Sequence, residues 1–129
     1  QTLAERLSIL PTVRQVLYPG LPDHHGHAVA VKQFEEGFGS VMGIEFEGGR
    51  PAAFRFLNAL SLVDLSNNLG DAKSLACHPC TTTHRVLSPE AREAAGIHEG
   101  MVRLSVGLEH VDDLTRDIEQ AVRVAAAGG

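Results

Sequence analysis

Apolar residues recur at helical spacing near the start of the chain, where Leu3, Leu7 and Leu10 share one face of a helix predicted over residues 2–10. Pro11 ends it, because the residue before a proline is pushed out of the α region. Residues 13–17 read as a strand, closed by the loop-forming string Tyr18-Pro19-Gly20-Leu21-Pro22. A second helix is predicted from Asp23 or His24 to Glu36, with Asp23 as its cap and Ala28, Val31 and Phe34 keeping helical spacing. Gly37-Phe38-Gly39 breaks it. Residues 40–47 then alternate, with Met42, Ile44 and Phe46 on one face and Val41, Gly43, Glu45 and Glu47 on the other, as in a strand with one buried face.

Gly48-Gly49 turns the chain into a third helix over residues 51–60, with Pro51 in its favoured first turn. Short strands are predicted at 62–65 and 73–77, separated by the turn composition of Asn67-Asn68-Leu69-Gly70-Asp71. Ser88-Pro89-Glu90 opens a helix that Gly96 stops. Residues 101–106 alternate as a strand, and residues 111–126 form an amphipathic helix with Val111, Leu114, Ile118, Val122 and Ala125 in its apolar stripe. Asp112 and Asp113 lie in its first turn, where the helix dipole favours negative charge. Asp112–Arg116 and Glu119–Arg123 offer (i, i+4) pairs on its polar face. Interleaved helices and short strands predict an α+β fold: a small, mainly antiparallel sheet with helices packed on one face.

The length of 129 residues suits one domain, and 43% hydrophobic with 21% charged residues is ordinary for a cored protein. Eleven basic against sixteen acidic residues give a net charge of −5, which lacks the positive field that nucleic-acid binding needs. No apolar stretch approaches the roughly 18 residues of a membrane span. The opening Gln1-Thr2-Leu3-Ala4-Glu5-Arg6 does not resemble a signal peptide, and a start at Gln1 suggests a piece of something longer.

Cys77-His78-Pro79-Cys80 resembles a redox C-x-x-C, but the following Thr81-Thr82-Thr83 disfavours the helix that would activate the first thiol. The same residues with His84, and the separate His24, His25 and His27, could serve as metal ligands; the simpler reading has Cys77 as a core residue and Cys80 in a turn, with no metal. Both thiols are expected to be reduced, as in a cytoplasmic protein. Arg103 carries more information. Alternation puts Val102, Leu104 and Val106 on one face of its strand and Met101, Arg103 and Ser105 on the other. An arginine on a rigid strand can hold a carboxylate by a bidentate, charge-assisted pair, or simply be solvated on an open sheet face. The Asn67–Asp71 turn could present donors to an anion.

Taken in order, several strings resemble the C-terminal domain of the cystathionine-synthase group, the pyridoxal-phosphate enzymes of cysteine and methionine metabolism. They are Tyr18-Pro19-Gly20-Leu21, His24 and His27, Gly37-Phe38-Gly39-Ser40 and Leu69-Gly70-Asp71-Ala72-Lys73-Ser74-Leu75. His78-Pro79, Thr82-Thr83-His84, Gly96-Ile97, the run from Val102 to Glu109 and Asp112-Asp113-Leu114 complete the set. The resemblance covers nearly the whole chain, and it implies the C-terminal-domain fold of the fold type I pyridoxal-phosphate transferases. It also implies that Arg103 binds the substrate α-carboxylate, that Asn67 and Asn68 shape the substrate pocket, and that Thr83 helps to line the carboxylate site. Cys80 departs from the small alanine usual after His78-Pro79.

The Asn67–Lys73 string looks more like the sulfhydrylase branch, particularly O-succinylhomoserine sulfhydrylase. Such an enzyme makes homocysteine by γ-replacement on an acylated homoserine, in methionine biosynthesis. The resemblance implies a cytoplasmic homotetramer whose cofactor lysine lies in a large N-terminal domain that residues 1–129 do not include. The chain has two lysines, Lys32 and Lys73, and neither lies in the cofactor-lysine motif. No catalytic or cofactor-binding residue is therefore expected here, and the domain alone should be inactive. Other branches of the group (cystathionine γ-synthase, cystathionine γ-lyase, methionine γ-lyase) remain alternatives, as does a free-standing metal-binding or interaction module.

Overall fold

The computed structural model describes residues 1–128. Helix α1 (Thr2–Ser8) and strand β1 (Val13–Leu17) open the chain, followed by α2 (His27–Gln33), β2 (Val41–Phe46) and α3 (Gly49–Ala59). Strands β3 (Asp64–Leu65) and β4 (Leu75–Cys77) lead into a tight helical turn at Pro79–Thr81. Helix α4 (Pro89–Ala94), strand β5 (Met101–Ser105) and α5 (Val111–Ala126) complete it. The strands form one sheet in the order β1-β2-β5-β4-β3, antiparallel throughout except for the β3–β4 pair. This is the α+β architecture the alternation predicts.

The core lies on one side of the sheet. Met42, Ile44 and Phe46 from β2, Val102 and Leu104 from β5 and Ala76 from β4 meet Leu3 and Leu7, Phe56, and Leu114 and Ile118 from α1, α3 and α5. Phe46 and Phe56 pack with their ring centroids 4.7 Å apart and their planes tilted by 36°. Full burial of each large apolar side chain stabilises the fold by about 1.5–3 kcal/mol. Val111 departs from its predicted place in the α5 stripe and is exposed, because it is the first residue of the helix and precedes the packed turns.

The shorter elements have identifiable causes. The predicted strand at 62–65 shrinks to two residues because the Asp117 carboxylate takes the N–H groups of Ser61, Leu62 and Val63. The strand at 73–77 loses its first two residues because Asp71 accepts the Lys73 N–H and Glu109 accepts the Ser74 N–H. The second helix starts at His27 rather than at Asp23, since Tyr18 to His24 runs as successive turns and the Gly26 N–H donates to His24 Nδ1. On α5, Arg116 pairs with Asp113 rather than Asp112, and Glu119 faces Arg6 of α1 at 3.9 Å rather than Arg123. Of the small-residue tail, Gly129 lies outside the described residues.

Candidate carboxylate-binding site

Arg103 occupies the middle of β5, half-buried, between Gly43 of β2 and Cys77 of β4 in the register. Gly43 lacks a side chain, and Leu17 of β1 fills that space: a Cβ built on Gly43 would lie 3.4 Å from Leu17 Cβ. The arginine reaches toward the β4 side, where the chain leaving β3 turns back. There its Nη2 donates to the backbone carbonyl of Asn67 at 2.7 Å, with Asn68 O at 3.4 Å.

Among the described residues, Nε and Nη1 of Arg103 make no hydrogen bond. A guanidinium has five N–H donors in a planar fork, so one nitrogen is tied to the loop while two keep theirs for a ligand. That arrangement suits an anchored group that could recognise a carboxylate: backbone carbonyls fix its direction, and among the described residues no acidic side chain compensates its charge.

The face of β5 that carries Arg103 is not an open, solvated one: Met101 and Ser105 are buried there, as are Leu75 and Cys77 on β4. The loop between β3 and β4 lies across this side. Besides the Arg103 contacts, the Gly70 N–H donates to Ser105 Oγ at 3.1 Å. Gly70 has φ +71°, the left-handed region where glycine avoids a steric penalty, so the loop reverses there. Further on, Glu109 accepts both the N–H and the hydroxyl of Ser74, at 2.7 and 2.8 Å. Burial raises the Glu109 pKa, but these bonds and the charge of Lys73 outweigh it, leaving the carboxyl below the usual glutamate value.

The structure brings three of the four predicted site residues together: Arg103, Asn67 and Asn68. The two asparagines take part through backbone carbonyls, atoms that any residue type would supply. Thr83 lies on an exposed turn, and its hydroxyl is 2.8 Å from His84 Nδ1 rather than on Arg103. A cleft of about 390 Å³ beside the site is lined by Asn67, Cys77, His78 and Thr82, with Phe54 and Leu65 as apolar walls.

The Cys-x-x-Cys string builds a different device. Cys77 and Cys80 are both buried free thiols. His78, Cys80 and Glu99 bring one ligand-type atom each within 4.8 Å of the others, whereas His84, His24, His25 and His27 are not part of that group. Each atom already has a partner. His78 Nε2–H donates to the Glu99 carbonyl at 2.9 Å, so Nδ1 accepts from Thr81 Oγ1, also at 2.9 Å. The Cys80 thiol donates to His98 O at 3.2 Å. The Glu99 carboxylate accepts from Arg50 Nε at 2.6 Å and faces Arg92 Nη2 at 3.7 Å. A cation would meet two guanidiniums and displace these bonds, so the cluster is a clasp rather than a metal centre. The Arg50 hydrogen bond holds the Glu99 pKa below the ordinary value, and burial, then Glu99, pushes the Cys80 thiol up.

The structure is an α+β domain whose sheet, backed by helices, carries a half-buried arginine anchored by backbone carbonyls. The chain belongs to the family of Cys/Met metabolism PLP-dependent enzymes, whose model matches residues 1–123. It is 45% identical over 120 residues to O-succinylhomoserine sulfhydrylase of Pseudomonas aeruginosa, covering 93% of this chain and 30% of that protein. It is equally 45% identical, over 126 residues, to L-methionine gamma-lyase of Pseudomonas putida, with 98% of this chain and 31% of the relative covered. Cystathionine gamma synthase from Xanthomonas oryzae pv. oryzae, solved in complex with cystathionine, superposes with a TM-score of 0.91 at 42% identity, over 97% of this chain and 32% of that one. The chain thus spans about a third of the length of the relatives it matches.

Members of this family depend on pyridoxal phosphate. The lysines present here do not fit a covalent cofactor site: Lys73 is paired with Asp64 on the surface, and Lys32 is exposed on α2. No step through the cofactor is assigned to this chain's residues.

Proposed function

We propose that this chain is the C-terminal substrate-binding domain of an O-succinylhomoserine sulfhydrylase-like enzyme, which makes homocysteine by γ-replacement. In this reading a separate N-terminal domain of the same polypeptide carries pyridoxal phosphate, and the full-length protein is a cytoplasmic homotetramer. The observation that carries the reading is the guanidinium of Arg103, fixed by the Asn67 carbonyl through Nη2 with Nε and Nη1 uncommitted. The domain's contribution is orientation. A substrate whose α-carboxylate is held by a rigid fork presents its reacting carbons in one pose, which removes much of the entropic barrier.

Cystathionine γ-synthase, cystathionine γ-lyase and methionine γ-lyase would use the same arginine, and the choice of sulfhydrylase rests on the Asn67-Asn68 pair. The test is the full-length enzyme supplied with O-succinylhomoserine and sulfide, cysteine or no thiol. Homocysteine formed with sulfide in preference to the other arms is expected. Elimination without any replacement product would overturn the sulfhydrylase assignment and favour a lyase; cystathionine made faster than homocysteine would favour the synthase.

A further inference from the structure

Ser105 sits two residues beyond Arg103 on β5, so the two side chains leave the strand on the same side. Only 1% of Ser105 is exposed. A buried hydroxyl on a central strand needs a polar partner, and this one accepts the N–H of Gly70 at 3.1 Å. Gly70 follows the asparagines that Arg103 holds. The loop is tied upstream, where the Ser66 N–H donates to Ala76 O at 3.0 Å, and downstream, where the Leu108 N–H donates to Ala72 O at 2.8 Å. Between those ties, among the described residues, Asn67, Asn68 and Leu69 have only the Asn68 N–H bond to Ser66, the Arg103 contacts and the Gly70 tie to hold them over the sheet.

We propose that Ser105 is a positioning residue for carboxylate recognition. By holding Gly70 it keeps the Asn67 and Asn68 carbonyls against Arg103 Nη2, and so keeps Nε and Nη1 directed at the ligand. The inference rests on the reading of Arg103 as the carboxylate anchor. Without Ser105 Oγ the carbonyls drift, the guanidinium is no longer held in one direction, and substrate binding pays for ordering it. The reacting groups themselves are untouched, so the loss falls on KM.

The experiment compares wild type, Ser105→Ala and Ser105→Thr in the full-length enzyme, with amide exchange at Gly70 as a readout independent of turnover. Ser105→Ala is expected to raise KM for the acylated homoserine about three- to tenfold, the range of one net hydrogen bond, with kcat within about twofold. Gly70 exchange should accelerate by a similar factor, and Ser105→Thr, which keeps the acceptor oxygen, should restore both. Unchanged KM and unchanged Gly70 exchange in Ser105→Ala would overturn the proposal, as would a loss confined to kcat. Should Ser105→Ala fail to fold, Ser105→Cys, close in volume and a weak acceptor, takes its place; wild-type KM and exchange in that variant would also overturn it. Arg103→Ala separates the two readings. If it leaves KM unchanged, the carboxylate assignment falls even where Gly70 exchange in Ser105→Ala responds as expected. If Arg103→Ala impairs binding and Ser105→Ala does not, the role of Ser105 alone is refuted.

Discussion

Asp117 on α5 accepts the backbone N–H of Leu62 at 2.9 Å, and its carboxylate also takes those of Ser61 and Val63 at 2.9 and 3.3 Å. The chain leaving α3 is thereby capped by a side chain from the last helix, where an edge strand would otherwise continue. Hydrogen bonds to a buried charged acceptor contribute about 1.5–3 kcal/mol, and removing the acceptor strands several donors at once. Asp117→Ala is expected to destabilise the protein by about 2–4 kcal/mol. Asp117→Asn should cost about half as much, because one oxygen survives. Urea unfolding monitored by circular dichroism checks both, and equal stability of wild type and Asp117→Ala would remove Asp117 from the frame of the fold.

A second expectation concerns the thiols. Cys77 is buried on the face where Arg103 and the Asn67–Gly70 loop lie, whereas Cys80 is buried against the carbonyls of residues 97 and 98. Burial and the neighbouring Glu99 raise the Cys80 pKa, which keeps it in the unreactive thiol form. Both thiols should therefore react with an alkylating reagent only after denaturation. Arg103→Ala should loosen the loop and expose Cys77 selectively. Mass mapping of the alkylated residue decides this, and faster modification of Cys80 than of Cys77 in that variant would contradict the placement.

Much of this was readable along the chain because regular elements with one apolar face announce themselves. The stripe of α5 and the alternation of β2 and β5 follow directly from burial on one side, and the direction of Arg103 follows from that alternation. The shortened strands were not readable, since Asp117, Glu109 and Asp71 reach backbone groups distant in sequence or beyond a turn. Asp117 left one trace: it falls at the spacing of Leu114, Ile118 and Ala121, on the apolar side of a helix, where a lone carboxylate needs donors. Asn67 and Asn68 stood out as turn residues, but the atoms that engage Arg103 are their carbonyls, which every residue has. That contact depends on where Ser105 places Gly70, and no local pattern reports it.

Acid should weaken the fold through carboxyls that are held low, and two of them tie distant parts of the chain together. Glu99 is held low by the Arg50 hydrogen bond, and Glu109 by the Ser74 bonds that outweigh its burial. A group whose folded pKa lies below its unfolded value contributes stability above the unfolded value, and loses it as pH falls through the folded one. The stability these two groups contribute should therefore be level above about pH 5 and decline below the ordinary glutamate value of about 4.3. Glu109→Gln should flatten that decline more than Glu99→Gln, because Glu99 and its hydrogen-bond partner Arg50 are half exposed and screened by solvent. Unfolding free energies measured from pH 6 to pH 3 test the order; a steeper acid slope in Glu109→Gln than in wild type would refute it.

Arg103 itself gives the most demanding prediction. Its side chain lies off the face built by Val102 and Leu104, so truncation should open no cavity in the main core. On the proposed reading, what is lost is a charge-assisted pair with the substrate carboxylate, worth about 2–5 kcal/mol when a desolvated partner is left unpaired. In the full-length enzyme, Arg103→Ala should cut kcat/KM by roughly two to three orders of magnitude, since about 1.4 kcal/mol is tenfold. Arg103→Lys should recover only part of this, because an ammonium reaching the Asn67 carbonyl has no planar fork left for the ligand. Global unfolding should shift by less than about 1 kcal/mol in both variants, given the half-buried position and the surviving Ser105–Gly70 tie. Steady-state kinetics with denaturant melts decides the matter: a variant that unfolds while its folded fraction retains wild-type kcat/KM would make Arg103 a strut for the loop and not a binder of substrate.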